Sequence, residues 1–248
     1  MQKTILITGS TSGIGEACAQ AFAAQHYNLV ITGRRIERLQ KLQNTLQQLH
    51  NVNVQILCFD VQNKTETFAA FETITGSVDV LINNAGLALG RDNFETANID
   101  DWETMINTNI KGMLYTTRAC LPLLKKSTVA HIVNIGSTAA KEVYENGNVY
   151  CATKVAVEAL SKSMRIDFLK YGIKVTCVHP GAVNTEFSLV RFNGDPKKAD
   201  NVYNGYTPLY ATDVALVIQQ LVNLPNNICI NDVLVTCKAQ ANSFYLHK

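Results

Sequence analysis

The sequence predicts an α/β fold: a doubly wound parallel sheet with helices on both faces. Two observations predict it. Short apolar, β-rich runs alternate with helical stretches along the whole chain, the pattern of successive strand–helix–strand units. The first of these runs ends in a cluster of glycines that opens directly into an alanine-rich helical stretch. No repeat or low-complexity tract interrupts the alternation, so residues 1–248 are read as one domain.

Composition narrows the function. Hydrophobic residues make up 47% and charged residues 17%, enough for a large core with little solvated surface. A net charge of +2 forms no basic stripe, which excludes a nucleic-acid-binding surface. The seven cysteines show no C-x-x-C and no histidine partner spacing, so reduced thiols are expected rather than a disulfide framework or a metal site. No apolar run reaches the roughly 18 residues of a membrane span, and the first residues lead straight into a strand rather than a signal peptide. A soluble, cytoplasmic protein is expected.

Residues 4–8 (TILIT) are the first strand, followed at once by Gly9-Ser10-Thr11-Ser12-Gly13-Ile14-Gly15 and a helix over 16–25. Strand, glycine turn and helix in this order bring bare backbone to a helix N-terminus, where a dinucleotide pyrophosphate binds. A flexible loop is the alternative, and the helix behind the turn weighs against it. Residues 28–32 form the second strand, ending in Gly33-Arg34-Arg35. An NAD site needs a carboxylate here for the ribose hydroxyls. Gly33 takes that place, and two guanidiniums suited to a 2′-phosphate follow. NADP is therefore predicted over NAD, unless Arg34 and Arg35 only begin the exposed helix 36–49.

The third strand, 52–59, ends in Asp60-Val61, with Asp60 facing an adenine, capping the helix that starts near Asn63, or both. The fourth, 78–82, runs into Asn83-Asn84-Ala85-Gly86, small enough for backbone to approach a ribose. A long helix over 99–125 follows, capped by Asp100 or Asp101. It contains Asn107-Thr108-Asn109-Ile110-Lys111-Gly112, poor mid-helix residues. A kink there, exposing backbone and an asparagine side chain to a buried water, is expected.

The fifth strand, 130–135, ends in Gly136-Ser137-Thr138. Ser137 can donate a hydrogen bond into the crevice. It could be a nucleophile only with a base beside it, and neither His131, within the strand, nor His179, before a proline, offers one. In the helix-compatible run 148–165, Tyr150 and Lys154 lie four apart and share a face. A free phenol titrates near 10. A neighbouring cation lowers that value and suits it to trading protons with an alcohol or carbonyl. An isolated pair of this kind is more simply a tyrosine and a lysine on an amphipathic helix, so the rest of the chain must decide.

The sixth strand, 173–179, leads into Pro180-Gly181-Ala182-Val183-Asn184-Thr185. Residues 186–207, with Gly194, Pro196 and Gly205, are expected to be a loop-rich mobile lid. A helix capped by Thr212 runs to about 224, and 233–236 is the last strand. Arg191, the one cation in 186–195, is flanked by Leu189, Val190 and Phe192. It either meets a substrate carboxylate or pairs with Glu186 or Asp195 to hold the lid's shape.

TGSTSGIG (8–15), NNAG (83–86), Asn109, Ser137, Tyr150-x-x-x-Lys154 and PGAVNT (180–185) together resemble the short-chain dehydrogenase/reductase family over essentially the whole chain. The resemblance implies an extended Rossmann fold with a seven-stranded parallel sheet. It implies that Tyr150 is the acid/base, that Lys154 binds the ribose and lowers the Tyr150 pKa, and that Ser137 orients the substrate oxygen. Asn109 would hold a relay water, and Thr185 would meet the nicotinamide carboxamide. The implied NADP(H) contacts are Gly9, Ser10, Thr11, Gly13, Ile14, Gly15, Arg34, Arg35, Asp60, Val61, Asn84, Ala85, Gly86, Tyr150, Lys154, Pro180, Gly181, Val183 and Thr185, with no metal. NAGLALG (84–90), DDWETMINTN (100–109), NIGSTA (134–139) and TEFSLVRFNGD (185–195) are similar to NADP-dependent 3-hydroxy acid dehydrogenases, which act on serine, L-allo-threonine and related acids. A homotetramer is implied as well. A carbonyl reductase of another substrate class is the rival reading.

Overall fold

The structure, a computed structural model, describes residues 2–248. Six strands, β1 (Thr4–Ile7), β2 (Asn28–Gly33), β3 (Val54–Cys58), β4 (Val80–Asn83), β5 (His131–Ile135) and β6 (Lys174–Pro180), enter one sheet. Two short strands, β7 (Val183–Asn184) and β8 (Leu209–Tyr210), pair separately, and β9 (Asp232–Val235) completes the main sheet. Its order is β3-β2-β1-β4-β5-β6-β9 with every pair parallel. The expected seven-stranded parallel sheet is thus present. Successive strands spread outward in opposite directions from the β1–β4 neighbours, and a crevice opens there at the carboxyl ends.

A parallel sheet is covered on both faces, so its strands are apolar throughout rather than alternating. Ile5, Leu6 and Ile7 are all fully buried. The side-chain period of two divides them. Ile5 and Ile7 pack with helices α1 (Gly13–Ala23), α2 (Ile36–His50) and a C-terminal helix over Ala211–Val222, through Phe22, Leu39 and Ile218. Leu6 faces α3 (Lys64–Glu72) and two later helices through Phe71, Leu121 and Val157.

The predicted helix over 99–125 is divided: α4 (Ile99–Ile106), a π-helical segment over Asn107–Gly112, and α5 (Met113–Leu124). The kink expected from the asparagines and glycine is this wider turn. Gly112 suits it, since an added Cβ would lie 2.8 Å from Val61 Cγ2. The cap is Asn98, not Asp100 or Asp101: Asn98 is extended, and its side chain accepts from the Asp100 N–H at 2.9 Å. Asp60 does not cap α3 either. Asn63 does, accepting from the Glu66 N–H at 3.2 Å, while Asp60 accepts from the Gln62 N–H.

Helix α6 (Asn148–Phe168) carries Tyr150 and Lys154 in its first two turns. Residues 186–207 hold more structure than the loop expected. They contain α7 (Glu186–Arg191), capped by Thr185, and α8 (Pro196–Asn201), capped by Asp195. Pro196 starts α8 rather than breaking a helix, because a first-turn residue needs no N–H partner. The last helix, α9 (Ala211–Val222), is capped at Tyr210, whose N–H reaches Asp213 Oδ2 at 2.7 Å; Thr212 lies inside it. All seven cysteines are free. No helix of the described residues is long and apolar enough to cross a membrane.

Candidate active site

A cleft of about 510 Å³ lies over the carboxyl ends of the strands. Its floor begins at the glycine turn, where Gly9, Thr11, Gly13 and Ile14 line it. Gly9 at φ +69 and Gly13 at φ +57 occupy the left-handed region that side chains disfavour. Two residues expected at a cofactor turn inward instead. Ser10 is fully buried, its hydroxyl donating to the Ile7 carbonyl at 2.8 Å and its N–H to Thr32. Gly15 packs beneath the turn, where an added Cβ would collide with the Gly9 carbonyl oxygen. Both support the turn from behind. The opposite wall is Asn84, Ala85 and Gly86, with Asn84 Nδ2 donating to the Thr8 and Gly9 carbonyls at 2.9 and 3.1 Å.

The far end of the cleft is basic. Arg34, Arg35, Asp60 and Val61 line it. Arg34 Nη1 lies 3.3 Å from Asp60 Oδ2, an exposed pair, so Asp60 meets an arginine rather than a helix end. Arg35 Nη2 reaches Thr11 Oγ1 at 2.8 Å and Ser12 Oγ at 3.0 Å. Arg38, which the sequence reading passed over, shares Glu186 with Arg35, at 2.7 and 3.1 Å. Burial works against the Glu186 carboxylate, but the two guanidiniums hold it below its ordinary value.

These residues fit a dinucleotide bearing a 2′-phosphate. β2 ends on Gly33 with no acid to accept ribose hydroxyls, and guanidiniums flank it. No side chain caps the first turn of α1, which faces the glycine turn. The buried hydroxyls of Thr32 and Thr108 both line the cleft and have no partner among the described residues.

The chemical end of the cleft is built by α6 and the segment after β5. Tyr150 and Lys154 are both buried and both line it, as does Ser137. Lys154 Nζ lies 5.9 Å from the Tyr150 ring centroid and donates to the Ile135 carbonyl at 2.9 Å. Burial draws the Lys154 ammonium down to about 8. Burial, with Tyr144 adding to it, pushes the Tyr150 phenol above its ordinary value; the Ser137 hydroxyl and the Arg191 guanidinium oppose the shift. The expected lowering by Lys154 is therefore not what balances burial here. The long lysine stem carries its charge past the phenol to the end of β5.

Asn109 does not line the cleft. Its Oδ1 accepts from the Leu87 N–H at 2.9 Å, and its Nδ2 donates to the Leu87 carbonyl and Thr153 Oγ1 at 2.8 and 3.1 Å. The side chain expected to face a buried water instead ties the cleft wall to α6. Pro180, Gly181, Val183 and Thr185 line the remaining edge.

Arg191 lines the cleft and pairs with neither carboxylate proposed for it. Glu186 is held by Arg35 and Arg38, and Asp195 by the first turn of α8 and Lys198. Arg191 Nε donates to the Gly90 carbonyl at 3.3 Å. Its guanidinium sits 5.4 Å from the centroid of the Tyr150 ring and 5.6 Å from that of Tyr144. Tyr144 and Arg91, also on the wall, were missed: their spacing to Tyr150 follows no helical period.

A histidine does approach Ser137. His179 is fully buried, with Nδ1 3.1 Å from the Ser137 carbonyl oxygen and 3.4 Å from its N, and Nε2 2.7 Å from Asp232 Oδ1. It touches backbone, not hydroxyl, so the arrangement makes no nucleophilic serine. Cys177, His179 and Asp232 come within 4.8 Å of one another. The 2.7 Å contact is a hydrogen bond, shorter than the ~3.3 Å between two ligands of a tetrahedral metal at ordinary bond lengths.

Residues 3–193 match the short chain dehydrogenase family. An NADP-dependent 3-hydroxy acid dehydrogenase of Salmonella typhi is 42% identical over 233 residues, 92% of each chain. A sulfoacetaldehyde reductase of Chromohalobacter salexigens is 39% identical over 99% of this chain and 98% of its own. Among solved structures, the closed form of a serine dehydrogenase complexed with NADP+ superposes with a TM-score of 0.92 at 39% identity, covering 99% of both chains.

Proposed function

We propose, on the premise that the chain belongs to the short-chain dehydrogenase family, that it interconverts a short 3-hydroxy acid and its 3-oxo product with NADP(H). NADP(H), when bound in the cleft, would supply or accept the hydride. The chain's own residues handle the oxygen and its proton. In reduction, Tyr150 gives its phenolic proton to the carbonyl oxygen. In oxidation it takes that proton from the alcohol. Ser137 orients the same oxygen by hydrogen bonding. Lys154 and the backbone around Gly86 hold the cofactor ribose, the glycine turn and the first amides of α1 its pyrophosphate, and Arg34 and Arg35 its 2′-phosphate. Thr185 meets the carboxamide. Arg191 takes the substrate carboxylate, which would otherwise be desolvated without a partner.

One observation carries this reading: Arg191, free of any carboxylate among the described residues, lies 5.4 Å from the ring centroid of the tyrosine that also neighbours Ser137. A cation beside the proton donor suits a substrate with an anionic end close to its reacting carbon. A second reading, a carbonyl reductase of another anionic class, is favoured by the relative named sulfoacetaldehyde reductase, since a guanidinium binds sulfonate as well as carboxylate. We further propose a single domain over residues 1–248 with a substrate lid at about 186–207, working in the cytoplasm as a homotetramer.

The test is a screen of serine, the threonine isomers and other 3-hydroxy acids with NADP+ and NAD+, followed by NADPH absorbance. Turnover of a short 3-hydroxy acid with NADP+, far above that with NAD+, is expected. No turnover of any 3-hydroxy acid with NADP+ would favour the second reading.

A further inference from the structure

His179 lies outside the proton-transfer chemistry, yet it is fully buried and both ring nitrogens are engaged. Nδ1 faces the backbone of Ser137 on both sides, the carbonyl oxygen at 3.1 Å and the N at 3.4 Å. Nε2 faces Asp232 Oδ1 at 2.7 Å. The ring has no slack, since a Cβ added at Gly136 would lie 2.5 Å from Nδ1. Behind it, the second Asp232 oxygen meets Lys141 Nζ at 2.7 Å, and Lys141 Nζ meets Glu158 Oε1 at 3.0 Å. Lys141 follows Ser137 by four residues. Glu158 lies on α6, about two turns beyond Tyr150. One hydrogen-bonded chain therefore joins the segment carrying Ser137, the helix carrying Tyr150, and β9.

We propose that His179 and Asp232 are positioning residues for Ser137, fixing its hydroxyl against Tyr150 through the backbone on either side of it. This rests on the role given to Ser137 above. Asp232 keeps the proton on Nε2, as a carboxylate does for a histidine whose other nitrogen has a task. Nδ1 then accepts from the Ser137 N–H; were it protonated as well, it would donate to the Ser137 carbonyl. Either proton count leaves the ring holding Ser137. With Asp232 removed, Nε2 loses its partner, the ring is no longer braced from behind, and Ser137 loses its fixed place. Asp232 belongs to the exposed end of the chain of contacts, its side chain 41% accessible, so its replacement spares the core.

The test is a double-mutant cycle between Asp232→Ala and Ser137→Ala, with turnover of the best substrate from the screen, NADPH affinity by fluorescence titration, and Tm measured for each variant. A misplacement of about 1 Å can cost up to about 100-fold in rate. Asp232→Ala should lower kcat about 10- to 100-fold with NADPH affinity unchanged. In the Ser137→Ala background it should lower kcat no further. Asp232→Asn, whose amide oxygen still accepts from Nε2, should recover most of the loss. Equal losses in both backgrounds, or no loss in the single variant, would overturn the positioning role alone. A Ser137→Ala enzyme with undiminished turnover would overturn the role of Ser137 and this inference with it.

Discussion

The Arg191 guanidinium lies 5.4 Å from the centroid of the Tyr150 ring. Arg191, at the end of α7, and the proposed proton donor thus border the same corner of the cleft, and Arg191 is one of the groups that oppose the upward push of burial on the phenol. Arg191→Leu should lower kcat/KM on serine by the roughly 2–5 kcal/mol that follows loss of one partner from a buried charge pair. An uncharged carbonyl substrate should be much less affected. Equal losses on both would make Arg191 a structural residue of the cleft wall.

Cofactor choice should follow the arginines at the end of β2. A hydrogen bond to a charged group contributes about 1.5–3 kcal/mol, or about 10- to 150-fold in affinity. Replacing Arg34 and Arg35 together should weaken NADPH far more than NADH in a fluorescence titration. Arg38, tied to the same Glu186, should add to the loss. Parallel weakening of both nucleotides would reduce these arginines to the start of α2.

Burial raises Tyr150, so at neutral pH the phenol holds its proton and is ready to act as an acid. Oxidation needs the deprotonated form. Its kcat should climb as pH rises above neutrality, while reduction stays level until the phenol begins to ionise. A pH profile of both directions checks this, and an oxidation rate that falls with rising pH would contradict it.

Lys154 gives a separate pH signature in stability. Its folded value, about 8, lies below the roughly 10.4 of a free lysine. Burying the charged form therefore costs stability below about 8, and the cost fades as pH rises towards 10.4, because the unfolded chain then holds the extra proton. Thermal melts of the wild type and Lys154→Met should shift relative to each other across this window, in favour of the wild type as pH rises. A difference independent of pH would show that Lys154 is not buried as a charge.

What was legible in the sequence was whatever local geometry decides. Gly9 and Gly13 stand at positive φ, and their spacing after an apolar run already announced the turn. Tyr150 and Lys154 share a helix face because four residues make about one turn. Asn107 to Gly112 announced a disruption, though not that the helix would widen to π. Capping failed where two neighbouring residues competed. Asp60 and Asp100 carry side chains as suitable as those of Asn63 and Asn98, and only backbone dihedrals choose between them. Residues 186–207 misled because Pro196 reads as a breaker and stands as a helix start. Glu186, one of the alternative partners considered for Arg191, instead binds Arg35 and Arg38 across about 150 residues of chain. The His179–Asp232 contact, between parallel neighbours β6 and β9, is likewise a product of strand order, which periodicity does not contain.

The central claim is that Tyr150 transfers the proton, and Tyr150→Phe assayed with NADPH binding measured on the same sample tests it most directly. Removing one hydroxyl leaves the ring, its packing against Phe187 and the cofactor cleft in place. Turnover should fall at least the roughly 100-fold typical of a lost general acid/base, with NADPH bound as tightly as before. Turnover close to the wild type, with binding intact, would contradict the account.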